Sequence, residues 1–275
     1  GPATGLPTKT EQSDLHAAVF GGPGDSARIV IAPTNVEECY YMVLKSFQLA
    51  EKYQTPVIVL TDFFLDNRVE NLRTPRASDE IKASWNVFPG ESPGNRYLRY
   101  EDTSSGISPR AIPGMQGYNH TATGLEHTES GSPDYSSEIH TKMTEKRHRK
   151  IRNALVDLQE PIEFFSNDQL DVGVIGWGST FGSVLEAVAN SKKNGFRVGA
   201  LKITSIFPYH SEIIKAFMAK SKFVLIPELN YEGQLANLIE RLNSKPVERL
   251  NLVTATPIPP SAIQKRIEEL LEVVA

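Results

Sequence analysis

Two short apolar runs bracketing one amphipathic helix constrain this fold more than any other feature. Residues 28–33, Arg-Ile-Val-Ile-Ala-Pro, read as a buried parallel strand. Thr34 follows, with Glu37 three residues on, the spacing of a capping box. The helix so started runs to about Tyr53, and Val36, Tyr40, Val43, Phe47 and Ala50 recur every three or four residues along one face. Residues 56–61, Pro-Val-Ile-Val-Leu-Thr, form the next strand. Strands joined by a helical crossover lie parallel, with a right-handed connection expected. One such unit leaves apolar faces uncovered, so further strands must complete it.

The first block alone is therefore expected to be an incomplete domain, and a second β/α alternation follows further along the chain. Strands are predicted over 171–176, 197–204, 222–229 and 249–253. Helices are predicted around Phe181 to Ala189, Ser211 to Ala219, Leu235 to Leu242 and Ile263 to Val274. Together these make a mostly parallel α/β domain of about a hundred residues. Between the blocks lies an irregular region, with twelve Gly or Pro residues from Pro89 to Pro133. Structureless stretches of that length serve as functional arms or linkers. A helix from about Glu138 to Leu158, with Ile139, Met143, Ile151 and Leu155 as its apolar positions, ends the arm. The expected division is 1–72, 73–169 and 170–275.

Composition excludes several function classes. A net charge of −4 argues against nucleic-acid binding driven by phosphate neutralisation. The basic run Lys146-Arg147-His148-Arg149-Lys150 reads as a solvated helix face rather than a phosphate site. One cysteine, Cys39, can build neither a disulfide nor an iron–sulfur or zinc site alone, and the expected location is cytoplasmic. No apolar run reaches the roughly 20 residues of a membrane span.

Three stretches could carry chemistry. The run 176–182, Gly-Trp-Gly-Ser-Thr-Phe-Gly, resembles a phosphate-binding loop, but departs from G-x-G-x-x-G by one residue and lacks a Walker lysine. A tight turn capped by Ser179 or Thr180 is the plainer reading. His120, Glu126, His127 and Glu129 are metal-ligand types without metal-motif spacing, and read as a solvated or interface loop. Glu228, Asn230 and Gly233 sit at the end of a strand, where ligands and partners gather in parallel sheets. They are candidates for ligand or subunit contact, with helix capping by Asn230 as the alternative. No serine occupies a nucleophile elbow, and no catalytic residue is assigned.

The opening residues are the most specific signal. Residues 1–15, GPATGLPTKTEQSDL, form a hydroxyl-rich loop. This stretch resembles the signature of the α subunits of 2-oxoacid:ferredoxin oxidoreductases, especially those acting on 2-oxoglutarate. The stretch GDSARIVIAPTNVEECYYMVLKSFQLAEKYQTPVIVLTD agrees, as do GISPRAIPG, TGLEHTESG, MTEKRHRK and ELNYEGQLANLI. The resemblance spans nearly the whole chain in order.

That resemblance implies an α/β fold: the end of a pyrimidine-type thiamine-binding domain, a long irregular arm, then a transketolase-C-terminal-like parallel domain. It implies CoA-dependent oxidative decarboxylation of a 2-oxoacid to an acyl-CoA and CO2, with electrons passed singly to ferredoxin. Thiamine diphosphate, Mg2+ and an iron–sulfur cluster are expected mainly on a partner β subunit, with coenzyme A as co-substrate. Thr8 falls on the family's substrate-contacting position, with Thr4 and Gly5 in the same loop. Hydroxyls and loop N–H groups suit the carboxylate and carbonyl oxygens of a 2-oxoacid. Lys9, Glu11 and Gln12 match the pattern and are assigned structural roles. Ala3 stands where the family has serine. The family's substrate-pairing arginine, its Tyr-Pro-Ile-Thr-Pro motif and its acidic activator of the thiamine ring all belong upstream of Gly1, so this chain alone is expected to be inactive. The rival reading is a non-catalytic module that docks a thiamine-binding β subunit. A nucleotide-binding domain using Gly176 to Gly182 is a third.

Overall fold

The computed structural model describes residues 5–72, 97–242 and 245–272. Two sheets organise them. The smaller contains β1 (Ile29–Ile31), β2 (Val57–Val59) and β6 (Ser205–Phe207), in the order β2-β1-β6. The larger contains β3 (Ile162–Phe164), β4 (Leu170–Gly176), β5 (Val198–Lys202), β7 (Ser221–Glu228) and β8 (Glu248–Asn251), in the order β3-β5-β4-β7-β8. β1 and β2 are parallel, as the crossover helix requires. β4, β5, β7 and β8 are also parallel, and β3, which the sequence reading missed, adds an antiparallel edge.

The expected strand over 197–204 is β5, and the residues just after it form a further strand, not anticipated, in the other sheet. β5 stays in the larger sheet, whereas β6 crosses to pair antiparallel with β1, Val30 opposite Phe207. The uncovered edge of the first block is thus completed by the second. A common core follows: Leu15, Ala18, Val19, Val30 and Ala32 pack with Ile175, Leu201, Ile206, Phe217 and Leu235. On the other face of the larger sheet, α5 (Thr180–Lys193) and α8 (Pro260–Glu272) bury Val184, Val188, Ile263 and Ile267 against Val172 and Val174. The short helices α1 (Leu15–Phe20) and α3 (Phe63–Asp66) were not anticipated.

The crossover helix α2 (Val36–Tyr53) departs from expectation at its start and on its face. Its cap is Asn35, not Thr34: the Asn35 side chain accepts from the Glu38 N–H at 2.8 Å. The reciprocal arm is Glu38, not Glu37, whose carboxylate accepts from the Thr34 N–H and hydroxyl at 2.8 and 2.7 Å. The buried face is Met42, Leu49 and Tyr53, packed on Ile29 and Ile31, while Tyr40, Val43 and Phe47 of the expected face are exposed. Tyr53 wins a buried place because its hydroxyl reaches Asp157, which also pairs with Lys52 at 2.6 Å.

The described part of the arm is held down. Helix α4 (Ser137–Asn153) presents Lys142, Lys146, Arg147 and Arg149 to it. Lys142 pairs with Glu129, Arg147 with Glu126 and Arg149 with Asp102. His140 joins Arg147 on Glu126, and the Arg147 hydrogen bond chiefly holds that carboxyl down at about 2. The acidic members of the suspected metal set are therefore committed to cations and backbone. The basic run is not a solvated face: Lys146 is buried and Lys150 half-buried.

Lys202 of β5 joins the two blocks by charge, its ammonium lying 2.5 Å from Glu38 of α2, with both side chains largely buried. Losing one partner strands the other's charge in a poorly solvated place. Lys202→Met is expected to lower unfolding free energy in the full-length protein by about 3 kcal/mol, read from a denaturation curve. An unchanged midpoint contradicts the account.

Candidate active site

The residues singled out at the start of the chain form a loop with an exposed tip and a buried stem. Gly5 to Lys9 are exposed, whereas Thr10 and Gln12 are buried. Thr4 lies outside the described residues. Gly5 and Thr8 both have positive φ, +116° and +57°. Glycine adopts such angles freely; a β-branched threonine does so only where its surroundings over-determine the backbone.

The stem supplies that constraint. Thr10 donates its hydroxyl hydrogen to Asp62, which follows β2, at 2.9 Å. The Gln12 N–H donates to the Leu229 carbonyl at 2.8 Å, and its side-chain oxygen accepts from the Leu229 N–H at 3.1 Å. Its amide nitrogen donates to the Trp177 carbonyl at 3.2 Å. Asn230 donates to the Gln12 carbonyl at 3.0 Å. Farther along, Gln234 donates to the Ser13 carbonyl at 2.8 Å and accepts from the His16 N–H at 3.0 Å. The loop is thus gripped from the carboxyl ends of β2, β4 and β7.

Glu228, Asn230 and Gly233 act behind this loop. Glu228 is wholly buried, and its oxygens accept from Asn230 at 3.1 Å and from the N–H groups of Leu235 and Ala236 at 2.8 and 3.1 Å. Burial pushes its carboxyl up, and these donors oppose the shift. Asn230 also accepts from the Gly233 N–H at 2.6 Å, closing the turn into α7 (Gln234–Glu240), with Gly233 at φ +67°. The polar side chains of Glu228 and Asn230 are committed within the chain.

The glycine loop after β4 receives the stem. Neither Ser179 nor Thr180 caps α5: Thr180 donates to the Trp177 carbonyl at 2.7 Å, and the Ser179 N–H donates to Asp62 at 3.3 Å. Gly178, at φ +57°, lies against Gln12, and a Cβ there would stand 2.6 Å from the Gln12 amide nitrogen. Sequence reasoning missed the role of Asp62, and read Gly178 as part of a phosphate-like turn rather than as the seat of Gln12. Asp62 carried a signal: an acid between a strand and the hydrophobic run 63–65 is a helix cap, and its side chain does accept from the Leu65 N–H at 3.1 Å.

The tip opens into a cavity of ≈ 230 Å³ that Thr8 lines with Lys9, Phe63, Phe64, Arg68 and Thr256. Arg68 pairs with Glu70 at 2.6 Å. The cavity offers a hydroxyl, two cations and aromatic walls, and no carboxylate lines it. Cys39 is a poor nucleophile: burial first, then Asp66, Glu38, Asp62 and Glu70, pushes its thiol up to about 11.

No group of three or more His, Cys, Asp or Glu able to hold a metal occurs among the described residues. Asp62 and Glu228, the acids at the strand ends, each already accept three hydrogen bonds. These residues do not fit a magnesium-bound diphosphate, and no chemical step through that group is assigned to them.

Gly178→Ala in the full-length protein is expected to displace Gln12 and cost about 2 kcal/mol of stability. Thermal or denaturant unfolding checks it, and wild-type stability contradicts the close approach.

Comparison with known proteins agrees with this arrangement. Residues 1–146 match the family described as pyruvate flavodoxin/ferredoxin oxidoreductase, thiamine diphosphate-binding. Residues 171–273 match pyruvate:ferredoxin oxidoreductase core domain II. The chain is 30% identical to 2-oxoacid:ferredoxin oxidoreductase 2, subunit alpha, of Aeropyrum pernix, over 99% of this chain and 42% of the relative. It is 31% identical to 2-oxoglutarate synthase subunit KorA of Methanocaldococcus jannaschii, over 90% of this chain and 64% of the relative. The chain therefore spans less than two thirds of the length of either relative. Among solved structures it is similar to 2-oxoglutarate:ferredoxin oxidoreductase from Magnetococcus marinus with 2-oxoglutarate, coenzyme A and succinyl-CoA bound. The TM-score is 0.88 at 37% identity, covering 98% of this chain and 47% of that one. With more than half its length matched, the chain belongs to the family described as pyruvate flavodoxin/ferredoxin oxidoreductase, thiamine diphosphate-binding.

Proposed function

We propose that this chain supplies one wall of the 2-oxoacid pocket in a CoA-dependent 2-oxoglutarate:ferredoxin oxidoreductase. The observation that carries the reading is the strained Thr8, held at the tip of a rigidly stemmed loop and lining a cavity with Lys9 and with Arg68, the latter paired with Glu70. In the proposed reaction a 2-oxoacid and coenzyme A give an acyl-CoA and CO2. The two electrons released leave one at a time to ferredoxin. The role of this chain is selection and positioning. The Thr8 hydroxyl donates a hydrogen bond to a substrate oxygen, and Lys9 and Arg68 attract the anion. Two cations suit a dicarboxylate such as 2-oxoglutarate better than the single carboxylate of pyruvate. Thiamine diphosphate, Mg2+ and an iron–sulfur cluster are assigned to the partner β subunit. The similarity to subunits of 2-oxoacid:ferredoxin oxidoreductases supports the reading of the reaction.

Thr8→Val in the complete enzyme removes the donor while nearly preserving shape. The KM for 2-oxoglutarate is expected to rise roughly tenfold, by loss of one hydrogen bond worth about 1.5 kcal/mol. Unchanged kinetics with both 2-oxoglutarate and pyruvate would remove Thr8 from the pocket.

A further inference from the structure

At the opposite end of the smaller sheet lies a second cavity, of ≈ 330 Å³. Residues 25–27, leading into β1, and residues 54–55, leading into β2, line it with the arm and α4. Four cations face it: Arg99, Lys146, Arg147 and Lys150. Asp25 is the one carboxylate in its lining.

The partners of these cations leave their charge unmatched. Lys146 donates to the Tyr100 carbonyl and the Ser108 hydroxyl, both at 2.6 Å. Lys150 donates to the Gln54 carbonyl at 3.2 Å, and Arg99 to the Gln54 side-chain oxygen at 2.8 Å. Every one of these acceptors is neutral. Among the described residues, only Arg147 of the four forms an ion pair, with Glu126. Buried charges are ordinarily paired, because desolvation is costly and a neutral acceptor offsets only part of it. Holding Arg99 and the ammonium groups of Lys146 and Lys150 around one cavity raises that cost. Burial chiefly brings both lysines down to about 8, reinforced by neighbouring cations, while Asp102 and Glu129 oppose the shift at Lys146. If the lysines were mere tethers for the arm, neutral donors would serve the same carbonyls without this cost.

We propose that this cavity binds the phosphate group of a phosphorylated small molecule. A guanidinium fork and two ammonium groups approaching from different elements suit a tetrahedral, multiply charged anion better than a planar carboxylate. At ≈ 330 Å³ the cavity also reaches the packed rings of Tyr100 and His127, which gives space for more than a bare ion. This site is separate from the Thr8 cavity: residues 25–27 and 54–55 enter β1 and β2 at one end of the smaller sheet, whereas Phe63, Phe64 and Arg68 follow β2 at the other, and the two linings share no residue.

Calorimetric titration of the full-length protein with its partner subunits tests this, using inorganic phosphate and ADP in turn, with chloride of equal ionic strength as control. Saturable binding is expected for at least one of the two probes. Arg99→Gln and Lys150→Met should each weaken it at least tenfold, whereas Thr8→Val should leave it unchanged. Binding tenfold tighter for ADP than for phosphate would assign a nucleotide; equal binding would assign the free anion. Where circular dichroism shows that one variant is unfolded, the other decides. No saturable heat with either probe, or binding that survives the folded variants, overturns the proposal.

Discussion

Gln12 is the residue on which the candidate site depends. It exchanges two hydrogen bonds with Leu229, one through its backbone and one through its side chain. It also reaches the Trp177 carbonyl and accepts from Asn230. These contacts join a loop near the start of the chain to two turns more than 160 residues away. An unmade hydrogen bond in such a buried place is costly, so the network holds as a unit or not at all. The strain at Thr8 is affordable because the stem below it cannot relax.

The same long-range logic shapes the fold around the loop. β6 leaves the larger sheet's neighbourhood to finish the smaller one, and Glu38 both receives the Thr34 N–H before α2 and meets Lys202. Neither block closes its core alone, and the shared cluster around Leu15, Val30, Ile206 and Leu235 is what makes them one body. Asp62 and Glu228 then serve as fixed acceptors at strand ends, tying loops down. At the far end of the sheet α4 spends its lysines on the arm, with a surplus of positive charge left around a cavity.

Much of this was legible in the sequence. Unbroken apolar runs such as 29–31 and 172–175 mark buried strands whatever their partners, and the crossover between β1 and β2 made them parallel. The opening loop stood out through its resemblance to a family. Errors arose where a choice depended on distant residues. α2 carries two apolar faces, and periodicity cannot tell which meets the sheet; Tyr53 was placed inside by an oxygen on Asp157, far along the chain. The strand over 205–207 was missed because nothing local records that it pairs with β1. Lys146 looks solvated until the arm's carbonyl and hydroxyl groups are laid over it, and Lys150 until it meets the Gln54 carbonyl at the end of α2. Glu228, Asn230 and Gly233 were read as candidates for ligand or subunit contact, and their partners within the chain, Gln12 among them, were invisible to spacing.

The central claim is that Asn230 acts on substrate only through the loop that carries Thr8. A double-mutant cycle on kcat/KM for 2-oxoglutarate, combining Asn230→Ala with Thr8→Val in the complete enzyme, tests it most directly. If Asn230 positions the Thr8 hydroxyl, its substitution costs much less once that hydroxyl is gone, giving a coupling of about 1 kcal/mol. Strict additivity of the two losses would contradict the account.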